Sequence, residues 1–159
     1  AAVHGYALGI GLALALVCDI RLAAENAVFA TPDTGKGYIP MSGITQRLPR
    51  LVGRGKAMEM VLTGERVDAQ EALRIGLVNK IVPEDRLLAE AQEWAKLLAS
   101  KGPVALRFAQ EAVNKGMDLS LDQGLRLEAD LYFLLFSTRD RTEGITAFRD
   151  KRPPRFSGE

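Results

Sequence analysis

Apolar and polar positions alternate in short blocks over the first part of the chain and then settle into helical periods. Ala1–His4 predicts a short strand ending at Gly5, and Gly9 and Gly11 bracket a turn. Leu12–Val17 continues as a helix too apolar to be exposed. Cys18–Ala23 predicts a buried strand and Ala27–Ala30 another. Strand, helix and strand in such close succession imply a layered α/β core. The next stretch, TPDTGKGYIPMSGI from Thr31 to Ile44, holds three glycines and two prolines in 14 residues and must be a loop. Polar loops at the ends of buried strands are where chemistry is usually placed.

Beyond Ser42 the pattern is mostly helical. Gln46–Val52 is a short or kinked helix because Pro49 interrupts it, and Lys56–Leu62 is a second that ends at Gly64. Asp68-Ala-Gln-Glu71 is a capping-box pattern that opens a helix stopping at Gly76. Asn79–Val82 predicts a short strand. Leu87, Leu88, Ala91, Trp94, Ala95 and Leu98 recur at helical spacing, which predicts an amphipathic helix over Glu84–Ser100. Gly102-Pro103 starts a helix that ends near Gly116, Asp122–Ser137 forms a longer one, and Arg139–Lys151 a last one stopped by Pro153-Pro154. A boundary near Gly102 therefore divides an α/β layer, residues 1–101, from a helical region, residues 102–159. The segment LYFLLF, Leu131–Phe136, is apolar on nearly every face and needs cover, from the chain's own tail or from a neighbouring subunit.

Composition narrows the chemistry. The 159 residues suffice for one domain with a sizeable core, and 47% hydrophobic content is an ordinary globular mix. A net charge of +1 argues for neither nucleic acid nor a membrane surface. The single cysteine, Cys18, and the single histidine, His4, exclude a disulfide framework and any usual thiolate or paired-histidine metal site. The apolar run Ala7–Val17 is too short to span a bilayer, and no basic segment of a signal peptide precedes it. The chain opens directly in a strand-like AAVHG without an initiator Met, as the C-terminal part of a longer protein or a processed piece would.

The glycine turn before the apolar helix admits several uses. Gly9-Ile10-Gly11-Leu12-Ala13-Leu14 has two glycines of a dinucleotide fingerprint but Leu14 in place of the third, and no phosphate loop ending in Gly-Lys is present. The glycines can simply permit close packing. They can also free a turn whose following amides point outward at a helix N-terminus, where unpaired N–H groups and the helix dipole favour developing negative charge. That is the physical content of an oxyanion hole.

AAVHGYALGIGLALALVCDIRLAAENAVFATPD, followed by YIPMSGITQRLPRLVG and LTGERVDAQEALRIGLVNKIVP, resembles the crotonase superfamily of enoyl-CoA hydratases and isomerases. GPVALRFAQEAVNKGMDLSL and DRTEGITAFRDKRPPRFSGE are similar too. The resemblance runs through the whole chain and corresponds to the C-terminal part of a member. It implies a spiral of ββα turns, here partial, over residues 1–101. The helices of residues 102–159 would then build a homotrimer or a hexamer of two trimers. It further implies an acyl-CoA substrate, with coenzyme A as part of the substrate and no separate cofactor, no nucleic acid and no membrane span. The compartment would be the cytoplasm, or the mitochondrial matrix in a eukaryote.

The same resemblance assigns residues. One oxyanion-stabilising N–H comes from the second position of the glycine turn, here Ile10, with Gly9 and Gly11 against the substrate; the other donor lies upstream. A backbone donor survives a change of side chain if its φ and ψ suit a β-branched residue. Hydratases place one glutamate on the helix after the turn, which is Ala13 here, and a second after a proline, which is Asp33 here. Ala13 can neither activate water nor deliver a proton, and Asp33 is shorter by one methylene, about 1.5 Å. A single positioned carboxylate can still shuttle a proton between the α and γ carbons. Asp33 can alternatively cap the TGKG turn, and Lys36 and Tyr38 nearby can assist or merely be solvated. A nucleophilic aspartate of the dehalogenase type would fall at Met41, so that chemistry is not expected. Lys151 and Tyr132 match positions that contact CoA, often from a neighbouring subunit. The basic cluster RDKRPPR around Lys151 is otherwise a solvated tail, and no aromatic platform marks it for nucleic acid. The competing class is a CoA-binding or structural relative, or a truncated scaffold, that keeps the fold without turnover.

Overall fold

Two short strands, β1 (Ala2–Val3) and β2 (Tyr6–Leu8), open the chain on either side of Gly5, whose φ of 58° turns the backbone between them. The computed structural model describes all residues, Ala1–Glu159. Helix α1 (Ile10–Leu16) follows, and then β3 (Leu22–Ala24) and β4 (Val28–Ala30) repeat the corner one layer further on. Strand β3 pairs in parallel with β1, Ala2 opposite Leu22, and β4 pairs in parallel with β2, Leu8 opposite Ala30. The stacking of one corner on the next is the ββα spiral expected from the resemblance. Strand β5 (Val67–Asp68) adds to β4 antiparallel, and β6 (Lys80–Val82) adds to β3 in parallel.

Two local expectations change. Strand β2 was not predicted, because Tyr6–Leu8 lies between glycines and is too short to show a period. The strand expected over Cys18–Ala23 begins only at Leu22, since Arg21 closes the preceding residues into a turn. Its buried guanidinium donates to the carbonyls of Leu77, at 2.7 Å, and Cys18. Its backbone N–H donates to Asn79 Oδ1 at 2.8 Å. Three polar bonds there outweigh the extended pairing that the apolar pattern favours.

The core of this part is rich in alanine, with Ala7, Ala13, Ala23, Ala27, Ala69 and Ala72 set around Leu12, Phe29, Leu48 and Leu77. Small side chains let α1 lie close to the strands, and Phe29, Leu12 and Leu48 fill the space with no exposed surface. Helices α2 (Ile44–Val52) and α3 (Arg54–Thr63) pack together, and Pro49 lies inside α2 rather than ending it. Helix α4 (Ala69–Arg74) starts on Asp68, whose carboxylate accepts the Glu71 N–H at 2.8 Å. The box is half-made, because the Glu71 carboxylate turns to Arg74 and Lys56 instead.

The chain divides into two compact units, Ala1–Glu93 and Trp94–Glu159. The division falls inside α5 (Leu87–Ala99) and not at Gly102. Gly102-Pro103 marks a helix start, a local backbone event, whereas a unit boundary depends on which side chains pack together. In the second unit α6 (Pro103–Gly116) packs on α7 (Leu121–Leu134), which opens with a capping box between Ser120 and Gln123. Helix α8 (Arg139–Arg149) follows a single 3-10 turn.

The last residues are mostly exposed but hydrogen-bonded back onto α8. The buried Asp140 carboxylate accepts the N–H groups of Ser157 and Gly158 at 2.7 and 2.9 Å. The Glu159 carbonyl accepts the otherwise orphaned N–H groups of Arg139 and Asp140 at the start of α8. Arg152 forks onto the Glu143 carboxylate at 2.7 and 2.8 Å. No helix is long and apolar enough to cross a membrane.

Candidate active site

The parallel pairing of β2 with β4 sets the site. Leu8 and Ala30 are opposite one another and each is the last residue of its strand, so the two following segments leave the sheet side by side. Crevices outside the carboxyl ends of parallel strands are where α/β folds bind ligands. The N–H of Gly9 donates to the carbonyl of Ala30 at 2.9 Å and ties the first segment to the second.

Gly9 is the residue before α1, with φ 51° and ψ −112°, a conformation that a side chain disfavours strongly. Its carbonyl accepts the Ala13 N–H at 2.9 Å, the first bond of the helix. The N–H groups of Ile10, Gly11 and Leu12 therefore precede the first helical donor, the Ala13 N–H, and no side chain caps them. Ile10 has a helical backbone and 72% exposure, so its β-branched side chain strains nothing and its N–H lies at an open helix end. Gly11 departs from its expected place. It is the second residue of α1, has no positive φ, and has open space where a Cβ would stand, so it does not bracket the turn. Ala13 is 3% exposed and offers no polar atom.

Asp33 arrives from the other strand. Its carbonyl accepts the N–H groups of Lys36 and Tyr38, both at 3.0 Å, and so shapes a 3-10 turn over Thr34–Lys36. Its side chain makes no capping bond, which removes the turn-capping alternative. The carboxylate instead faces Gly9: a Cβ built there would lie 3.8 Å from Oδ2 and 3.9 Å from Oδ1. Oδ2 accepts the hydroxyl of Thr31 at 2.8 Å, and Thr31 has no exposed surface.

Helix α3 backs this loop. Thr34 Oγ1 donates to the Val61 carbonyl at 2.8 Å. Gly64 has φ 67° at the end of α3, and a Cβ on it would stand 3.2 Å from the Pro32 Cα, so glycine there lets the loop sit down on the helix. Thr31 and Thr34 were not singled out from the sequence, and Gly64 was read only as the end of a helix. The Thr-x-Asp spacing at residues 31 and 33 is the one signal that pointed to the first of them, since short polar side chains bond locally at that separation.

The remaining expected residues are arranged less tightly. Tyr38 is 68% exposed and Lys36 is exposed, and Tyr38 meets Asp33 only through its backbone. Tyr132 and Lys151 belong to the second unit. Tyr132 is 57% exposed and packs edge-on against Phe133 and Phe136, at ring separations of 5.9 and 5.3 Å. Lys151 is exposed in a left-handed backbone conformation, φ 52°, directly beyond α8. The depression lined by Arg139, Asp140, Glu143 and Arg152 is walled by side chains already ion-paired, Arg139 with Glu159 and Arg152 with Glu143. No group of three or more His, Cys, Asp or Glu side chains converges to hold a metal ion.

Against known proteins, the enoyl-CoA hydratase/isomerase family model matches residues 1–159. A crotonyl-CoA hydratase of Syntrophomonas wolfei subsp. wolfei is 48% identical over 156 residues, which are 98% of this chain and 60% of that protein. A mitochondrial enoyl-CoA hydratase of Pongo abelii is 47% identical over 159 residues, 100% of this chain and 55% of that protein. The crystal structure of an enoyl-CoA hydratase from Bacillus anthracis superposes with a TM-score of 0.95 at 46% identity, covering 98% of this chain and 60% of that one. The chain thus spans about 60% of the length of the curated relatives it matches.

Proposed function

Since this chain belongs to the enoyl-CoA hydratase/isomerase family and carries part of the crotonase α/β fold, we propose that it acts on an acyl-CoA thioester by stabilising an enolate at the Gly9 turn and moving a proton through Asp33. The observation that carries the proposal is the approach of the Asp33 carboxylate to the turn, 3.8 Å from a Gly9 Cβ position. Abstraction of an α-proton transfers negative charge to the thioester oxygen. The Ile10 N–H at the helix start is placed to receive that charge, and one such donor contributes about 3–4 kcal/mol to a barrier. The carboxylate takes the proton and either delivers it to the γ carbon, which is isomerisation, or swaps it with solvent and returns a solvent proton to the α carbon, which is exchange.

Hydration needs a second group to handle water, and Ala13 supplies none. Proton exchange and double-bond isomerisation therefore take precedence over hydration. Coenzyme A enters as part of the substrate, and on this reading Lys151 and Tyr132 match positions that contact it, often from a neighbouring subunit. The ammonium of Lys151 suits phosphate as a point charge. The exposed Tyr132, Phe133 and Phe136 support a trimer or hexamer, in which a neighbouring subunit covers them. Kinship with bacterial and mitochondrial enzymes supports a cytoplasmic setting, or the mitochondrial matrix in a eukaryote.

Deuterium exchange into a saturated acyl-CoA, followed by mass spectrometry on the full-length protein, tests the proposal. Asp33→Asn should lower exchange by ~10²-fold or more while leaving acyl-CoA affinity nearly intact. Exchange that persists in Asp33→Asn refutes the assignment. The buried, apolar Ala13 favours a second reading, a scaffold that binds without turnover. Absence of exchange in the full-length wild type would establish that one instead.

A further inference from the structure

We propose that Thr31 is the positioning residue of this site: its hydroxyl fixes the Asp33 carboxylate through Oδ2 and leaves Oδ1 as the oxygen that takes and returns the substrate proton. The inference rests on the acyl-CoA reading of Asp33 given above. Three observations carry it. The Thr31 hydroxyl lies 2.8 Å from Oδ2, and no other side chain bonds to the carboxylate. Thr31 is wholly buried, so the donor end of that bond is shielded from water. The backbone on both sides is seated, at Pro32 by the close approach of Gly64 and at Thr34 by its bond to Val61.

The direction of the bond follows from chemistry. An ionised carboxylate only accepts, so the hydroxyl must donate. An aspartate on an exposed turn samples several rotamers, and each places the proton acceptor differently. Pinning one oxygen of a planar carboxylate fixes the plane and with it the lone pairs of the other. In the reaction the C–H bond of the α carbon breaks and an O–H bond forms at Oδ1. The electron pair enters the enolate, the new O–H exchanges its proton with solvent, and a proton returns from Oδ1 to carbon. Oδ2 keeps its hydroxyl partner throughout. A short aspartate has less reach than a glutamate, so its chemistry depends more on being held.

The test uses Thr31→Val, which keeps the shape and removes the hydroxyl, and Thr31→Ser, which keeps the hydroxyl. In the full-length protein, Thr31→Val should lower kcat for α-proton exchange by about 10- to 100-fold with KM for the acyl-CoA within about twofold, and Thr31→Ser should restore most of the loss. A merely structural role would move KM and stability and would not be rescued selectively. Wild-type kcat in Thr31→Val, alongside loss in Asp33→Asn, overturns the inference and leaves the acyl-CoA reading standing. Retained exchange in Asp33→Asn, or none in the wild type, overturns both. A readout independent of turnover is the carboxyl ¹³C resonance of Asp33. Its deuterium isotope shift between H2O and D2O should be present in the wild type and Thr31→Ser and lost in Thr31→Val. A wild type without that shift has no such bond, and the inference falls.

Discussion

Gly9 and Asp33 meet across the ends of two paired strands, with the carboxylate oxygens 3.8 and 3.9 Å from where a Gly9 Cβ would stand. The distance is ordinary van der Waals contact, so glycine is required there for its backbone and not for its size. Gly9→Ala should destabilise the protein by about 1–3 kcal/mol, the usual strain of a side chain in such a conformation. Gly11→Ala, at a helical position with open space, should instead stabilise it by roughly 0.5–1 kcal/mol. Urea unfolding of both variants checks this, and equal midpoints would contradict the contrast.

Ala13→Glu introduces the second carboxylate that water chemistry needs. Enoyl-CoA hydration, followed by loss of absorbance of the conjugated thioester, should rise by roughly 10²-fold over the wild type, the usual contribution of a general acid–base group. Because Ala13 is 3% exposed, the variant should also melt at a lower temperature. A folded variant without added hydration would mean that more than this carboxylate is missing.

Acid should weaken the protein in a defined window. The Arg152 guanidinium, helped by the Arg155 backbone N–H, holds the Glu143 carboxyl at about 2 against an ordinary 4.5. The Arg74 guanidinium, and after it the Lys56 ammonium, hold Glu71 at about 2 as well. Both carboxyls are depressed in the folded state, so their contribution is complete above pH 4.5 and is lost as pH falls toward about 2. Glu143→Gln should flatten that decline in urea titrations. An unchanged slope would show that the Arg152 pair contributes nothing to it.

Lys151 offers a separation of stability from binding. Lys151→Gly relieves a left-handed backbone, φ 52°. It should raise stability by roughly 1 kcal/mol or less while weakening acyl-CoA binding. Lys151→Glu should weaken binding further, and added salt should weaken the wild type but scarcely affect Lys151→Glu. Calorimetric affinities that ignore both substitutions would remove Lys151 from the CoA site.

The aromatic group on α7 predicts association. Phe133 is 66% exposed beside Tyr132 and Phe136, so Phe133→Asp should shift sedimentation toward the monomer, with the wild type running as a trimer or hexamer. A wild-type protein that sediments as a single monomeric species at micromolar concentration would end that expectation.

The longer helices were legible because each carries both a period and a punctuation mark. Gly102-Pro103 opens α6, and even the short α4 starts on Asp68 as its spacing predicts. The strands were less so. Two- and three-residue strands such as β1 and β2 show no alternation, and their identity comes from pairing with residues 20 or more positions away, Ala2 with Leu22 and Tyr6 with Val28. Arg21 was invisible for a similar reason, since its partners on Leu77 and Asn79 are remote in sequence. At the site, Gly9, Ile10 and Asp33 were identified through family resemblance, but which way the Asp33 side chain points was not. A capping aspartate and one turned toward Gly9 have the same local sequence. The Thr31 hydroxyl on Oδ2 and the seat of the flanking residues on Val61 and Gly64, remote in sequence, accompany the turn toward Gly9.

The register of β2 on β4 acts as a ruler for the chemistry. A slip of one residue moves one strand end by ~3.3 Å relative to the other and reverses the faces of every side chain. Phe29, with no exposed surface, forbids that slip, because it would be driven from the interior into water. Exposed positions such as Tyr38 and Ile39 are therefore open to variation, whereas Phe29 is constrained by the register that it holds. Any directed-evolution library that randomises the interior of the first unit would be screening the alignment of Gly9 with Asp33 as much as thermal stability.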